Sequence, residues 1–169
     1  VVGCSKGEPT SFGLNVTGFD IADNCLDEGV CVPLVVGCFW CPPEDLSADY
    51  AFCTDVLEHC PEEDLPWIVG ELFGYARLFV FANVACYPAA KKLPNGENAH
   101  CTIRPVEFWK EIFGKSAAAG GNPLWEVWAD TPLNDSRREE RIGNFEPQPE
   151  APPALPQAPA NRIPLWRMV

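Results

Sequence analysis

Nine cysteines dominate the chemistry this chain could perform. They are Cys4, Cys25, Cys31, Cys38, Cys41, Cys53, Cys60, Cys86 and Cys101, all in the first 101 of 169 residues. Such density is typical of a disulfide framework formed in an oxidising compartment. Nine is odd, so four bridges would leave one thiol free or joined to another chain. Zinc is the competing use, because Cys38, Cys41, Cys53, His59 and Cys60 contain enough soft donors for a four-ligand site. A zinc ribbon, however, needs two close cysteine pairs, and only Cys38 and Cys41 stand two residues apart. The nine are therefore read as disulfide candidates, with no cofactor expected and zinc kept as the alternative. The two histidines, His59 and His100, each precede a cysteine.

The sharpest short motif is Gly37-Cys38-Phe39-Trp40-Cys41. It resembles the pentapeptide around the nucleophilic cysteine of the A-type methionine sulfoxide reductases. The resemblance implies that Cys38 would attack the sulfoxide as a thiolate, and that the aromatic pair would cradle the methyl group. It covers five residues, and that family's glycine-rich segments and its Thr-Gly-His-Ala-Glu stretch are absent. A thioredoxin-like pair of Cys38 and Cys41 is the other redox reading, although no βαβ pattern is read around it. There is no phosphate-binding glycine loop and no Gly-x-Ser-x-Gly, and Glu62-Glu63-Asp64 reads as a solvated turn. The expectation is a protein without catalysis, with a thiol oxidoreductase using Cys38 and Cys41 as the alternative.

The elements that would hold these residues read as mostly helical and irregular. Phe12, Leu14 and Val16 hint at a short strand, residues 20–29 at an acidic loop, and 30–36 at an edge strand or buried extended segment broken by Pro33. After Pro43, the residues Leu46, Tyr50, Cys53, Leu57 and Cys60 recur at steps of four and three, which predicts one helix ending at Pro61. Residues 66–87 are the most apolar stretch and are expected to form a central buried helix, with membrane contact as the other outcome. Pro105 to Phe113 predicts an amphipathic helix stopped by Gly114, followed by a flexible connector at 117–121. Asn122-Pro123 looks like the cap and first turn of a helix carrying Leu124, Trp125, Val127 and Trp128. Arg137 to Arg141 reads as a solvated mixed-charge segment. Residues 143–169 hold seven prolines and predict an extended, polyproline-like arm.

Two units are therefore expected: a small disulfide-stapled, mainly helical domain at 1–142 and a proline-rich docking arm at 143–169. The net charge of −12 arises wholly in residues 1–88, where fourteen acids face only Lys6 and Arg77. That front half repels nucleic acid and anionic lipid, so nucleic acid is not an expected partner. The opening Val1, without methionine, suggests a removed targeting segment. An organelle lumen, an intermembrane space or secretion would suit the thiols, and the sequons at Asn15 and Asn134 fit a secretory route. The function expected is a non-catalytic accessory subunit docked on a large complex, membrane-bound photosynthetic or respiratory assemblies included. Its partners would be the protein subunits of that complex. Trp125, Trp128, Ile163, Leu165, Trp166 and Met168 are the expected contact residues, since aromatics dominate interface hot spots. A free secreted binding protein is the remaining alternative.

Overall fold

The computed structural model describes residues 15–24, 32–39, 41, 46–121, 123–133 and 136–146. Its architecture is α/β, which corrects the expected mostly helical domain. Strand β1 (Gly18–Asp20) pairs in parallel with β2 (Leu34–Val36) in a two-stranded sheet. The main sheet contains β3 (Ala48–Thr54), β4 (Ala76–Ala85), β5 (Leu124–Leu133) and β6 (Ser136–Gly143) in sequential order. Three of these strands run parallel, and β6 returns antiparallel on β5.

Helix α1 (Leu65–Tyr75) links β3 to β4, and α2 (Val106–Ala119) links β4 to β5. The two helices touch each other while α1 lies on β3 and β4 and α2 on β5 and β6, so both cover the same sheet face. Right-handed crossovers between successive neighbouring strands impose that arrangement. Helix α1 buries Leu65, Ile68, Val69, Leu72 and Phe73, a stripe at helical spacing, and carries a proline in its first turn where no N–H is missed. The 66–87 stretch is thus half helix and half strand. At Ala76 the backbone becomes extended, and Phe79, Val80, Phe81 and Val84 are strand-favouring aromatic and β-branched residues. No helix among the described residues is long and apolar enough to cross a membrane.

The core lies between the sheet and the helices. Ala51 and Cys53 of β3, Val80, Ala82 and Val84 of β4, and Trp125, Val127 and Ala129 of β5 are buried there with Trp109 and Phe113 of α2. Alternation overturns the helix expected over 46–60, because Tyr50 and Thr54 are exposed while Ala51 and Cys53 are buried. The same period overturns the helix expected from Pro123, since Trp125 packs on Phe113 at 5.7 Å within a strand. Residues 137–141 lie in β6, a strand that keeps them solvated, all but Glu140 being exposed. Gly143, at its end, approaches the neighbouring backbone so closely that a Cβ would collide with the Trp125 carbonyl oxygen. Phe19 of β1 meets Tyr75 and Phe39 edge to face at 6.1 and 5.8 Å, which seats the small sheet beside the end of α1.

The expected disulfide staples are corrected too. Cys38, Cys41, Cys53, Cys60, Cys86 and Cys101 are all free thiols. Cys4, Cys25 and Cys31, the short strand expected at Phe12–Val16 in its first three residues, the second half of the acidic loop, Asn134 and the arm from residue 147 onward lie outside the described residues.

Candidate metal centre

Because β3 and β4 are parallel neighbours, the segments leaving their carboxyl ends rise from the same edge of the sheet. That edge is where open α/β sheets bind ligands. Leaving β3, Asp55 adopts a φ of 54°, a left-handed conformation that aspartate tolerates better than most residues. Its N–H donates to the Asn83 carbonyl at 3.2 Å. The reversal feeds a single 3-10 turn, Leu57–His59, with Leu57 and Glu58 buried and His59 exposed.

The segment leaving β4 is anchored where Cys86 N–H donates to the Asp130 carbonyl at 2.8 Å. It then reverses at Leu93–Gly96, where Pro94 suits the second turn position and Gly96 takes a φ of 89°. Asn98 organises the return. Its Oδ1 accepts from the N–H groups of Ala89 and His100, each at 2.9 Å, and its Nδ2 donates to the Ala89 carbonyl at 2.9 Å. Buried Thr102 ties the returning chain to the 3-10 turn, through its N–H to the Glu58 carbonyl at 3.0 Å and its hydroxyl to the Cys60 carbonyl at 2.7 Å.

These ties set His59 and His100 side by side, ring centroids 4.8 Å apart and nearly perpendicular. His59 Nδ1 lies 2.7 Å from the Ala99 carbonyl oxygen and His100 Nδ1 lies 2.6 Å from that of Tyr87. A carbonyl only accepts, so both Nδ1 atoms donate, which leaves Nε2 as the ring atom open to a metal. Glu58 completes the cluster from below. Its side chain is fully buried, Oε1 accepts from Ala85 N–H at 3.1 Å, and Oε2 has no hydrogen-bond partner. Burial pushes its carboxyl above the ordinary value, with the negative charge of Asp55 acting in the same direction.

One ligand atom from each of Glu58, His59 and His100 lies within 4.8 Å of the other two, and among the described residues no other such group occurs. Two imidazoles and one carboxylate form a donor set suited to zinc and its first-row neighbours. Histidines that ligate metals characteristically donate their second ring N–H to a carbonyl or carboxylate, as both rings do here. Zinc bonds of about 2.0–2.1 Å place tetrahedral ligand atoms roughly 3.4 Å apart. Closure onto an ion therefore needs side-chain shifts of about 1 Å. Three protein ligands would leave a coordination position open to water or to a further ligand.

His59 thus belongs to the cluster, but the cysteines of the alternative zinc set do not join it. Cys53 is buried in β3 facing the helices, and burial raises its thiol well above the ordinary value. Burial likewise pushes Cys60 and Cys86 up to about 11, and raises Cys101. Cys38 and Cys41 close a tight turn, Cys41 N–H donating to the Cys38 carbonyl at 3.0 Å, while Phe39 is buried against Phe19. Trp125 fills the core, whereas Trp128 lies half-buried on the opposite sheet face. Ile163, Leu165, Trp166 and Met168 lie outside the described residues. Glu58 and His100 are the residues that sequence reasoning missed. The available signal was that both histidines border cysteines in polar segments, but their partnership depends on two strands being adjacent. A groove between α1 and α2, lined by Gly70, Phe73, Gly74 and Ile112, is a separate concavity. Its charged groups are already paired, Arg77 with Asp49 and Lys115 with Glu111. No family model, no curated protein and no solved structure matches this chain.

Proposed function

We propose that this protein is a metal-binding accessory domain whose centre, formed by Glu58, His59 and His100, takes a divalent ion of the zinc class. The observation that carries the reading is the fully buried Glu58, whose Oε2 lacks a partner and whose carboxylate offers an oxygen within 4.8 Å of a ring nitrogen on each of two histidines tethered through Nδ1. A buried carboxylate oxygen left unsatisfied costs about 1–3 kcal/mol, and a cation would remove that cost. In this reading the Nε2 atoms of His59 and His100 and the Oε2 of Glu58 are the ligands, and Asn98 and Thr102 hold them in register.

Burial raises Cys53, Cys60, Cys86 and Cys101 away from thiolate, so none of these four supplies a reactive nucleophile. The role retained from the sequence is that of a non-catalytic protein subunit, to which the metal would lend a fixed edge or a bridging ligand.

Titration calorimetry of the full chain with zinc, backed by the visible spectrum of the cobalt form, tests the proposal. One equivalent should bind, and Glu58→Gln, His59→Ala and His100→Ala should each weaken binding by tenfold or more, while Cys38→Ser/Cys41→Ser should not. Loss of binding in the cysteine variant with retention in the histidine variants would place the metal elsewhere and end the reading.

A further inference from the structure

Helices cover one face of the main sheet, and the other face is aromatic. Tyr50 and Phe52 of β3, Phe79 and Phe81 of β4, and Trp128 of β5 alternate with the core residues and so point away from the helices. Phe52 and Phe81 are register partners with ring centroids 5.8 Å apart, and Phe81 meets Trp128 edge to face at 5.1 Å. The Arg141 guanidinium lies 4.2 Å from the Trp128 ring centroid and closes the row on the β6 side. Tyr50 is 54% exposed, and the rings of Phe52, Phe79, Phe81 and Trp128 are half-buried. A contiguous aromatic surface of this kind marks a binding face.

The path of the chain indicates its occupant. At the end of β6, Asn144 is clamped to β5, its N–H donating to the Trp125 carbonyl at 3.1 Å and its Oδ1 accepting from Trp125 N–H at 2.7 Å. The next residue, Phe145, turns onto the aromatic face and meets Phe79 at a centroid distance of 5.3 Å. The described chain ends one residue later, at Glu146. The remaining residues, 147–169, hold Pro147, Pro149, Pro152, Pro153, Pro156 and Pro159 within their first thirteen positions. Aromatic-lined surfaces take up proline-rich segments because the polyproline helix loses little entropy on binding and stacks its rings on aromatic ones.

Reach and charge agree. In polyproline form these twenty-three residues extend about 70 Å, at about 3.1 Å each, whereas four strands spaced about 4.8 Å span roughly 15 Å. Residues 147–169 carry Arg162 and Arg167 against Glu150 alone, so the acidic excess lies wholly in the rest of the chain. Tethering gives the segment an effective concentration in the millimolar range at its own face, which favours it over a free partner of similar affinity.

We infer that the proline-rich segment 147–169 seats in cis across the aromatic sheet face, over Phe79, Phe81, Phe52 and Trp128. The inference is independent of the metal centre, which lies at the carboxyl edge of the sheet. A photoreactive benzophenone amino acid placed at position 81 of the full chain tests it. After irradiation of dilute protein, cross-linked peptides are mapped by mass spectrometry. The expected result is a species of monomer mass, 18.6 kDa, with cross-links into 147–169. Replacing Pro149, Pro152, Pro153 and Pro156 by serine should lower that yield several-fold. Cross-links to 147–169 only at dimer mass would assign the face to a second copy, and cross-links that avoid 147–169 would assign it to another occupant. Either outcome overturns the inference. The same probe at exposed position 50 provides the test if substitution at 81 prevents folding.

Discussion

Replacing Glu58 by glutamine should stabilise the metal-free protein while weakening its response to zinc. The amide side chain would keep an acceptor facing Ala85 N–H and remove the charge that burial penalises. Glu58 has a folded-state pKa above its unfolded value, so the folded state holds the proton more tightly than the unfolded chain. The stability linked to that proton is present below the ordinary carboxylate range and is lost as pH rises through the raised folded value. The glutamine protein is free of that loss. Its advantage should therefore be absent near pH 4, grow as pH rises, and reach a plateau above the folded-state pKa. With one oxygen unsatisfied and the whole side chain buried, the gain at neutral pH is about 1–2 kcal/mol. For a domain of this size that is about 2–8 °C in Tm. Zinc at a hundredfold excess over the wild-type Kd should add about 2.7 kcal/mol to the wild type and about 1.4 kcal/mol or less to the variant, whose binding is tenfold or more weaker. Thermal denaturation with chelator and with zinc, at three pH values, measures all of this. A glutamine variant less stable than wild type in chelator, or one that zinc stabilises equally, would refute the reasoning.

Other residues give further measurable outcomes. Asn98→Ala removes two accepted and one donated bond that place His100, so zinc affinity should fall by roughly tenfold or more in calorimetry while the sheet stays folded by circular dichroism. Asp55→Gly relieves the left-handed backbone and removes a charge that raises Glu58, and should increase stability in chemical denaturation by about 1 kcal/mol. Gly143→Ala places a methyl group into the Trp125 carbonyl and should destabilise by about 1–3 kcal/mol, visible as a lower denaturation midpoint. Cys53, fully buried with its thiol raised, should resist iodoacetamide until the protein is denatured, as counted by mass.

The sequence announced some elements and concealed others for identifiable reasons. Helix α2 was legible because Val106, Trp109, Ile112 and Phe113 repeat at helical spacing with charges between them. The helix runs past Gly114 to Ala119 because the glycine meets open space apart from one contact at 4.0 Å, and the alanines favour helix. Strands β3 and β5 were concealed because the sheet is apolar on both faces. Helix-facing Trp125 and Val127 and outward-facing Leu124 and Trp128 together mimic helical spacing, as parallel strands with two apolar faces do. The cysteines misled for a related reason. Their number suggests bridges, yet a small buried thiol such as Cys53 fills a strand position as any small apolar residue would. The centre was half legible, since His59 attracted attention as a ligand. Its partners did not, because Glu58 reads as one acid among many and His100 arrives by a loop whose course Asn98 decides.

The antiparallel strand β6 has one further consequence. Sheets with a bare rim recruit strands from other molecules, and that recruitment is a route to aggregation. Here the outer rim reads Arg137-Arg138-Glu139-Glu140-Arg141, all but Glu140 exposed, with Arg141 Nε donating to Glu139 at 3.0 Å. A second copy aligning on this rim would bring like charges together at several positions. The β5–β6 hairpin therefore opposes lateral growth of the sheet on that side.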